Sequence, residues 1–225
     1  SLSENNLQFH IISKYPQSEN SVAAIFASSL EKLQQKKLYG YLVHHFEFYQ
    51  SHPQLWEKMK DLKAEGKIDK IGFSLYNTDQ LQYLLDNEVV FDVLQFPYNL
   101  FDRQFDTYLL YLKQCGVEIH TRSVFLQGLF FKNVRKLTDK LLPMKKYLEK
   151  LHEYCGISGI SMEQLALNYV VSHPNIDGVL IGVDNCQQLQ ANVDALQNGL
   201  RQEDIDFISS INVSEKELLN PVNWK

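Results

Sequence analysis

Apolar residues along this chain follow two spacings, and each spacing predicts one type of element. Short continuous apolar runs such as Tyr41-Leu42-Val43 have the length and composition of buried strands. Stretches with apolar residues every three or four positions lie between these runs, and this spacing is typical of amphipathic helices. The six predicted strands end at Lys14, His44, Ser74, Gln95, Arg122 and Gly182; the first begins at Leu7, and the last covers Gly178 to Ile181. The predicted helices cover residues 21–36, 55–65, 78–85, 107–114, 137–154, 161–171, 187–196 and 201–211.

Several local signals place the ends of these elements. A charged helix end runs into Gly66, and glycine most easily takes the left-handed turn that terminates a helix. Thr78 is predicted to cap the helix that follows, and the stretch from Ser161 to Gln164 has the spacing of a capping box. Pro143 is expected to split off the first turn of the long helix predicted for residues 137–154.

Strands that alternate with helices predict a parallel sheet in an α/β fold. Each strand ends on a polar or small residue, and in a (β/α)8 barrel the reactive groups lie at those carboxyl ends. A doubly wound open sheet is the competing architecture. That fold usually has a glycine-rich phosphate turn after the first strand, and Ser13-Lys14-Tyr15-Pro16 is not such a turn.

Length, charge and cysteine content narrow the classes of function. A chain of 225 residues that is 44% hydrophobic can form one large domain, and without linkers it is predicted to be a single domain over residues 1–225. The net charge of −5 without a basic run argues against nucleic-acid binding. No apolar run reaches the about 18 residues of a membrane span. Three widely spaced cysteines (Cys115, Cys155 and Cys186) are typical of reduced thiols, which predicts a cytoplasmic location.

Six motifs, each at a predicted strand end, give the chain its family resemblance. They are Ile12-Ser-Lys14, Tyr41-Leu-Val-His44, Glu65-Gly-Lys-Ile-Asp-Lys-Ile-Gly-Phe-Ser74, Gln95-Phe-Pro-Tyr-Asn99, Arg122-Ser-Val-Phe-Leu-Gln-Gly128 and the stretch from Gly182 to Asn192. Together and in this order, they resemble the aldo-keto reductases over most of the chain. The resemblance implies a (β/α)8 TIM barrel that binds a nicotinamide cofactor at its mouth. It also implies an oxidoreductase that transfers a hydride from NAD(P)H to an aldehyde, ketone or sugar carbonyl.

The resemblance assigns catalytic roles to two strand-end residues, His44 and Lys14. His44 matches the histidine that hydrogen-bonds the carbonyl oxygen, and Lys14 matches the lysine whose charge stabilises the phenolate form of a tyrosine proton donor. From spacing alone, Lys14 is more often a solvated strand end, and His44 a core or rim residue. His45 is expected to point to the opposite face from His44, which argues against a metal pair.

The same resemblance assigns the cofactor contacts. The predicted cofactor-binding residues are Ser74, Gln95, Arg122, Ser123, Gln127, Gly128, Gly182, Gln188 and Asn192. Ser74 and Gln95 match contacts to the nicotinamide carboxamide, residues 123–128 the backbone that holds the pyrophosphate, and Gln188 and Asn192 the adenosine end. Two departures are that Leu75 replaces a frequent asparagine and that Arg122 replaces an aromatic ring. From composition alone, the glutamines near residue 188 are also compatible with a solvated helix face.

The loop from Gly182 to Gln188 bears on the choice of cofactor. Family members selective for the 2′-phosphate carry basic residues there, whereas this loop has no cation and contains Asp184. A carboxylate repels the 2′-phosphate by about 1 kcal/mol or more at close range in a wet site. The resemblance implies NADP(H) as the cofactor, whereas this loop predicts weak discrimination between the two cofactors, or even use of NAD(H).

The resemblance also has a large gap. The family's aspartate and tyrosine lie on its first two βα units, and this chain shows only about six units, so the barrel is expected to be N-terminally incomplete. A catalytically inactive cofactor-binding or regulatory protein is therefore the alternative function. A barrel of different chemistry, such as an isomerase, is disfavoured because no paired carboxylates follow the strands. The predicted partner is a small-molecule carbonyl substrate selected by loops 46–53 and 132–143, and the sequence does not indicate the oligomeric state.

Overall fold

The computed structural model of the chain describes residues 9–18 and 20–224. The chain divides into two compact units. The first unit comprises Ser1–Phe96 and Leu112–Ile119, and the second comprises Pro97–Tyr111 and His120–Lys225. This division does not test the prediction of a single domain over residues 1–225, which stays a prediction.

The strands form one six-stranded parallel sheet whose order follows the chain, β1-β2-β3-β4-β5-β6. They are β1 (Ile12–Tyr15), β2 (Leu38–Val43), β3 (Ile68–Ser74), β4 (Val93–Pro97), β5 (Glu118–Arg122) and β6 (Gly178–Val179). This arrangement confirms the predicted parallel α/β fold. The first strand was predicted to begin at Leu7, which lies outside the described residues.

The helices alternate with the strands as the apolar spacing predicts. They are α1 (Val22–Leu33), α2 (Phe46–Ser51), α3 (Gln54–Ala64), α4 (Thr78–Asp86), α5 (Asp106–Gln114), α6 (Lys145–Ser158), α7 (Met162–Val171), α8 (Cys186–Ala195) and α9 (Gln202–Ser210). Short 3-10 turns cover Leu129–Phe131, Val134–Lys136, Asp139–Met144, Lys216–Leu219 and Pro221–Trp224. Gly66 and Gly116 take left-handed backbone conformations after α3 and α5, with φ of 72° and 77°, as expected for helix-terminating glycines.

Three details of the predicted elements are wrong. Asn77 rather than Thr78 caps α4, because its side-chain oxygen accepts a hydrogen bond from the amide of Gln80 at 3.0 Å. The long helix predicted to start at residue 137 begins only at Lys145, whereas the expected split at Pro143 is confirmed, since Pro143 lies in a separate 3-10 turn before α6. The last strand, predicted to reach residue 181, contains only Gly178–Val179.

An aromatic cluster on β3 organises the core of the first unit. Phe73 is fully buried, and its ring stacks on Trp56 of α3 at a centroid distance of 4.5 Å. Tyr49 and Phe91 approach the same ring at 5.0 and 6.1 Å. These large apolar side chains bury β3 under α2 and α3, so that the polar residue following Phe73 is held at the carboxyl end of the strand.

The second unit has its own aromatic core and a fixed C-terminal helix. Phe101 packs edge-on against Phe130 at 5.0 Å and lies 5.9 Å from Tyr147 of α6. Arg103 donates hydrogen bonds to the carbonyl oxygens of Ile208, at 3.1 Å, and Ile211. The guanidinium thus adds a second donor to the Ile208 carbonyl, which also accepts from the Ile211 amide, and supplies a donor to the carbonyl just after α9.

Candidate functional site

Four polar residues end neighbouring strands of the first unit, and we call Lys14, His44, Ser74 and Gln95 the strand-end group. The Lys14 Nζ atom donates a hydrogen bond to Ser74 Oγ at 3.2 Å. The His44 amide donates to the Tyr15 carbonyl at 3.2 Å, and Ser74 pairs with Gln95 across β3 and β4. The structure therefore brings these four predicted site residues together at one edge of the sheet.

The loop after Ser74 is fixed by the residues that open α4. The Gln80 side-chain oxygen accepts a hydrogen bond from the Tyr76 amide at 2.7 Å, while Asn77 accepts from the Gln80 amide. The Gln80 side-chain amide in turn donates to Glu47 of α2 at 3.2 Å. The chain that leaves Ser74 is therefore held on both sides, which keeps the hydroxyl group in place.

His44 and His45 do not face apart, and the expectation based on a strand was wrong. β2 ends at Val43, and the two imidazole rings contact each other at a centroid distance of 4.6 Å. His44 is half-buried, whereas His45 is exposed and precedes the first residue of α2. The alternating directions of strand side chains do not apply once the strand has ended.

Tyr15 does not share the orientation of its neighbour Lys14. Its ring is buried, and its hydroxyl donates to the carbonyl oxygens of Ser18 and Asn20 at 3.2 Å each. This hydroxyl is therefore engaged with the loop before α1, whereas the Lys14 side chain bonds to Ser74.

Gln95 has a property that points to a ligand. The side chain is 1% exposed, and its Oε1 atom has no hydrogen-bond partner among the described residues. A buried acceptor without a donor is uncommon in folded proteins and has a free-energy cost. The amide N–H group of a carboxamide would satisfy this acceptor, so Gln95 fits the nicotinamide role that the sequence suggests.

The other predicted cofactor residues lie together in the second unit. They line a cleft of about 810 Å³, which we call the 122–192 cleft. The predicted residues in its walls are Arg122, Ser123, Gln127, Gly128, Gly182, Gln188 and Asn192. Residues from β5, from the loop after it and from α8 are thereby assembled into one concave surface of ligand size.

A run of left-handed backbone forms one wall of the 122–192 cleft. The φ angles are 63° at Ser123, 46° at Leu126, 53° at Gln127 and 74° at Gly128. Three of these residues are not glycine, so the conformation has a steric cost that the surrounding structure must offset. Backbone amides in such turns converge and can bind anionic oxygens. The wall therefore fits the predicted role of holding a pyrophosphate.

The start of α8 forms the opposite wall of the cleft. Asn185 caps the helix by accepting a hydrogen bond from the Gln188 amide at 2.9 Å. The Gln188 side-chain oxygen accepts from the Asp184 amide at 2.7 Å, which fixes the loop before the helix. Because this oxygen is engaged, Gln188 would contact a ligand through its Nε2 donor. Asn192 lies one turn further along α8, 5% exposed, and lines the same cleft.

The charges that line the cleft differ in sign. Arg122 is a half-buried cation whose Nη1 atom lies 3.4 Å from Ser123 Oγ, whereas Asp184 and Glu163 contribute carboxylates. The charge of the same guanidinium also acts on the buried carboxyl group of Asp102. Burial raises the pKa of Asp102, and the charges of Lys216 and Arg122 partly oppose that rise. Arg122 is thus placed where it can attract an anionic ligand.

Sequence reasoning missed several residues of the cleft. Phe125 and Phe131 contact each other at 5.2 Å and supply an apolar part of the wall, and Glu163 reaches it from the first turn of α7. Phe125 lies within the motif from Arg122 to Gly128 but received no side-chain role, whereas Phe131 and Glu163 lie outside the motifs, so nothing in the sequence placed them at the cleft. Asn99 does not line the cleft, but it is a further residue whose role the sequence did not indicate, although it belonged to one of the motifs.

Among the described residues, no group of three or more His, Cys, Asp or Glu side chains is arranged to hold a metal ion. In the same part of the chain, no helix combines the length and the apolar character needed to cross a membrane.

The sequence of the chain is similar to a known protein family and to several curated proteins. The sequence profile described as the aldo/keto reductase family matches residues 8–213. The chain is 25% identical over 210 residues to an NADH-specific methylglyoxal reductase of Escherichia coli (strain K12), a match covering 83% of this chain and 63% of that protein. It is 27% identical over 174 residues to an L-galactose dehydrogenase of Arabidopsis thaliana, covering 72% and 54%. It is 26% identical over 210 residues to a glyoxal reductase of Bacillus subtilis (strain 168), covering 91% and 68%. The chain thus spans between about half and two thirds of these curated relatives.

Solved structures show the same fold. An aldo-keto reductase from Bacillus halodurans in its holo form matches with a TM-score of 0.69 at 20% identity, covering 91% of this chain and 73% of the other. An aldo-keto reductase from a deep-sea metagenome library of the Medee basin matches with a TM-score of 0.69 at 18% identity, covering 95% and 76%. At these identities the likeness establishes the fold alone, and it confirms the predicted fold type.

Proposed function

Since the chain belongs to the aldo/keto reductase family, we propose that the protein reduces the carbonyl group of a small aldehyde, ketone or sugar with NADPH or NADH. The observation that carries the proposal is the 122–192 cleft, in which seven of the predicted cofactor residues meet a left-handed backbone wall. The orphaned acceptor of Gln95 supports it independently, since a carboxamide would satisfy this atom.

Each part of the proposed site has a physical role. The cofactor would supply the hydride that is added to the carbonyl carbon. His44 would hydrogen-bond the carbonyl oxygen, where negative charge develops in the transition state. Lys14 would lower the pKa of a phenol proton donor placed beside it, because a cation stabilises the phenolate form. The hydrogen bond from Lys14 to Ser74 would hold the lysine in place for this task.

The relatives suggest which carbonyl compounds to test first. The names of two similar proteins specify methylglyoxal and glyoxal as their substrates. Both compounds are small and carry two adjacent carbonyl groups, so we propose small 2-oxoaldehydes as the first substrate class, with sugars as the second. The alternative of an inactive cofactor-binding protein is not favoured, since the curated relatives are named as reductases and dehydrogenases.

The location and partners are proposed from the sequence. Cys115, Cys155 and Cys186 form no disulfide in the described chain, which is compatible with the proposed cytoplasmic location. The proposed partner is the small-molecule substrate, with no nucleic acid.

The function can be tested with a panel of carbonyl compounds. Purified full-length protein is mixed with NADPH or NADH and with methylglyoxal, glyoxal or an aldose, and the carbonyl-dependent loss of reduced-cofactor absorbance is measured. We expect turnover with at least one compound. Cofactor binding without turnover on any carbonyl would support the inactive alternative, and the absence of both would overturn the proposal.

A histidine pair within the chain provides a matched mutational test. We expect His44→Ala to lower kcat at least about tenfold, because a hydrogen bond to the developing oxyanion is lost, while the cofactor Kd changes less than about twofold. His45→Ala, which removes the adjacent exposed ring, should leave kcat within about twofold. Unchanged turnover in His44→Ala would remove His44 from the mechanism.

A further inference from the structure

Asn99 is a fully buried side chain that joins two loops of the second unit. It lies just after β4 and is 0% exposed. Its side-chain oxygen accepts hydrogen bonds from the amides of Phe101 at 2.9 Å and Asp102 at 3.0 Å. Its Nδ2 atom donates to the carbonyl oxygen of Ser123 at 3.1 Å. One side chain therefore ties the loop after β4 to the first residue after β5.

The carbonyl group that Asn99 holds belongs to a strained residue. Ser123 has a φ of 63°, which is left-handed and unfavourable for a residue with a Cβ atom. The same carbonyl also accepts a hydrogen bond from the Leu126 amide at 2.8 Å, which closes the turn. The left-handed residues Leu126, Gln127 and Gly128 follow after Val124 and Phe125, so the hydrogen-bonded Ser123 carbonyl fixes the start of the turn that leads into this wall of the cleft.

We propose that Asn99 is a positioning residue for ligand binding in the 122–192 cleft, acting by fixing the backbone of Ser123. Asn99 itself does not line the cleft, so its effect on a ligand passes through the turn that it holds. The proposal rests on the proposed function, because it takes the cleft to bind the pyrophosphate and adenosine parts of the cofactor.

The chemistry of the position explains why an asparagine is needed. A carboxamide offers an acceptor to two amides and a donor to one carbonyl from a single rigid plane. An aspartate would place an oxygen against the Ser123 carbonyl oxygen, and a serine hydroxyl would be too short to reach from one loop to the other. The buried Asp102 already occupies this loop, so a second carboxylate there would also be repelled.

The test measures binding to the 225-residue chain rather than turnover. ADP-ribose and NADH are titrated by calorimetry into the wild type and into Asn99→Ser and Asn99→Asp, and the melting temperature of each protein is recorded. We expect Kd to rise at least about tenfold in both variants, since the loss of preorganisation in the turn reduces the affinity for ligands that contact it. Asn99→Ser carries no new charge and decides the matter if Asn99→Asp does not fold.

Asn168 provides the matched control. It is also a buried asparagine of the second unit, and its Nδ2 atom donates to the carbonyl oxygens of Gln164 and Ala195 at 2.9 and 2.8 Å, but it does not line the cleft. Asn168→Ser should lower the melting temperature without raising Kd more than about twofold. An equal loss of affinity in Asn168→Ser would mean general loosening and would overturn the proposal.

A second substitution tests the route through Ser123. Glycine takes the left-handed conformation without a steric cost, so Ser123→Gly in the Asn99→Ser background should recover at least about threefold of the lost affinity. No recovery would show that Asn99 does not act through this backbone. If the wild type binds ADP-ribose and the Asn99 variants bind it equally well, only the positioning role fails. If the wild type binds neither ligand, the proposed function fails, and the positioning role fails with it.

Discussion

At the scale of single residues, the strained backbone of the second unit lies next to the cleft. Ser123, Leu126 and Gln127 are three of the five non-glycine residues with positive φ among the described residues. Each such residue costs on the order of 1 kcal/mol, which must be offset by contacts elsewhere. Strain of this kind concentrates at functional sites because it places backbone groups where an unstrained turn would not.

The environment of a cysteine also leads to a prediction at this scale. Burial, with a smaller contribution from the charges of Glu163 and Asp204, raises the pKa of the Cys155 thiol to about 11. The thiolate is the reactive species, so Cys155 should be alkylated by iodoacetamide at about pH 8 at least about tenfold more slowly than the exposed Cys115 and Cys186. Peptide mass spectrometry over time provides the rates. Equal rates in the folded protein would contradict the prediction, and the urea-unfolded protein is the control in which all three should react alike.

At the scale of elements, the contact between β3 and β4 leaves no room for a side chain at Gly72. A Cβ atom there would lie 1.7 Å from the carbonyl oxygen of Val93, which belongs to the neighbouring strand. We expect Gly72→Ala to lower the free energy of unfolding by at least about 3 kcal/mol, because the two strands must move apart. Urea denaturation measures the change.

Gly156 in α6 is the matched control for Gly72. A Cβ atom at Gly156 meets nothing within 4 Å, and the residue lies inside a helix. Gly156→Ala should therefore raise stability by about 0.5–1 kcal/mol, because alanine favours the helix. If the two variants lost the same stability, the strand contact would not be the reason for the loss.

The start of α9 depends on a carboxylate whose ionisation can be followed. Asp204 is fully buried and accepts hydrogen bonds from the Arg201 amide at 2.8 Å and from the Tyr154 hydroxyl at 2.6 Å. Hydrogen bonding to the Arg201 side chain is the main reason that the pKa of Asp204 falls to about 2 from its ordinary 3.8. A depressed pKa means that the ionised group contributes stability above about pH 4, and that this contribution is lost as the pH falls through about 2.

We therefore predict a pH-dependent effect of Asp204→Asn. The variant should be about 1–3 kcal/mol less stable than the wild type at neutral pH, because a charged hydrogen-bonded group is replaced by a neutral one. The difference should shrink between about pH 4 and pH 2. Asp206→Asn, which changes an exposed carboxylate on the same helix paired with Gln202, should have little effect at any pH. A difference independent of pH would contradict the ionic explanation.

The elements also show what a sequence can and cannot predict. The six strands were all located, most clearly at β4, because a fully buried parallel strand is continuously hydrophobic, whereas β5 alternates and β6 is only partly buried. The sequence did not predict helix α2. It has only six residues, fewer than two turns, and its three buried aromatic side chains are too few to show a helical period. The left-handed backbone at Leu126 and Gln127 was not predictable either, because tertiary contacts impose it on residues that do not favour it.

The candidate site was predicted unevenly for a similar reason. The family motifs contain seven predicted cofactor residues that line the cleft. The residue pattern around them did not itself indicate a cavity. Asn99 was part of a motif but received no role, since a side chain that acts through the carbonyl group of residue 123 has no local signature. Roles that depend on partners far apart in the sequence become visible only in the folded chain.

At the scale of the whole molecule, the balance of charge bears on which cofactor is used. The chain has a net charge of −5, and the loop from Gly182 to Gln188 contains Asp184 but no cation. Asp184 lines the 122–192 cleft, and its amide is fixed by Gln188, so a ligand bound there meets a carboxylate at a defined place. The extra phosphate of NADPH should therefore gain less from binding than it does in a site lined by cations.

We predict that Asp184→Ser shifts the cofactor preference towards NADPH. Removing the charge should raise the affinity for NADPH relative to NADH by about three- to tenfold, because two charges at close range in water repel each other by about 1 kcal/mol. The measurement is the ratio of the two dissociation constants, and the shift should diminish in high salt, which screens exposed charges. Asp194→Ser is the matched control, because Asp194 lies on α8, the helix that follows Asp184, pairs with Gln190 at 2.8 Å and does not line the cleft. A shift of the same size in Asp194→Ser would assign the preference to the net charge of the molecule. A shift in Asp184→Ser that high salt does not reduce would assign it to the shape of the site rather than to charge.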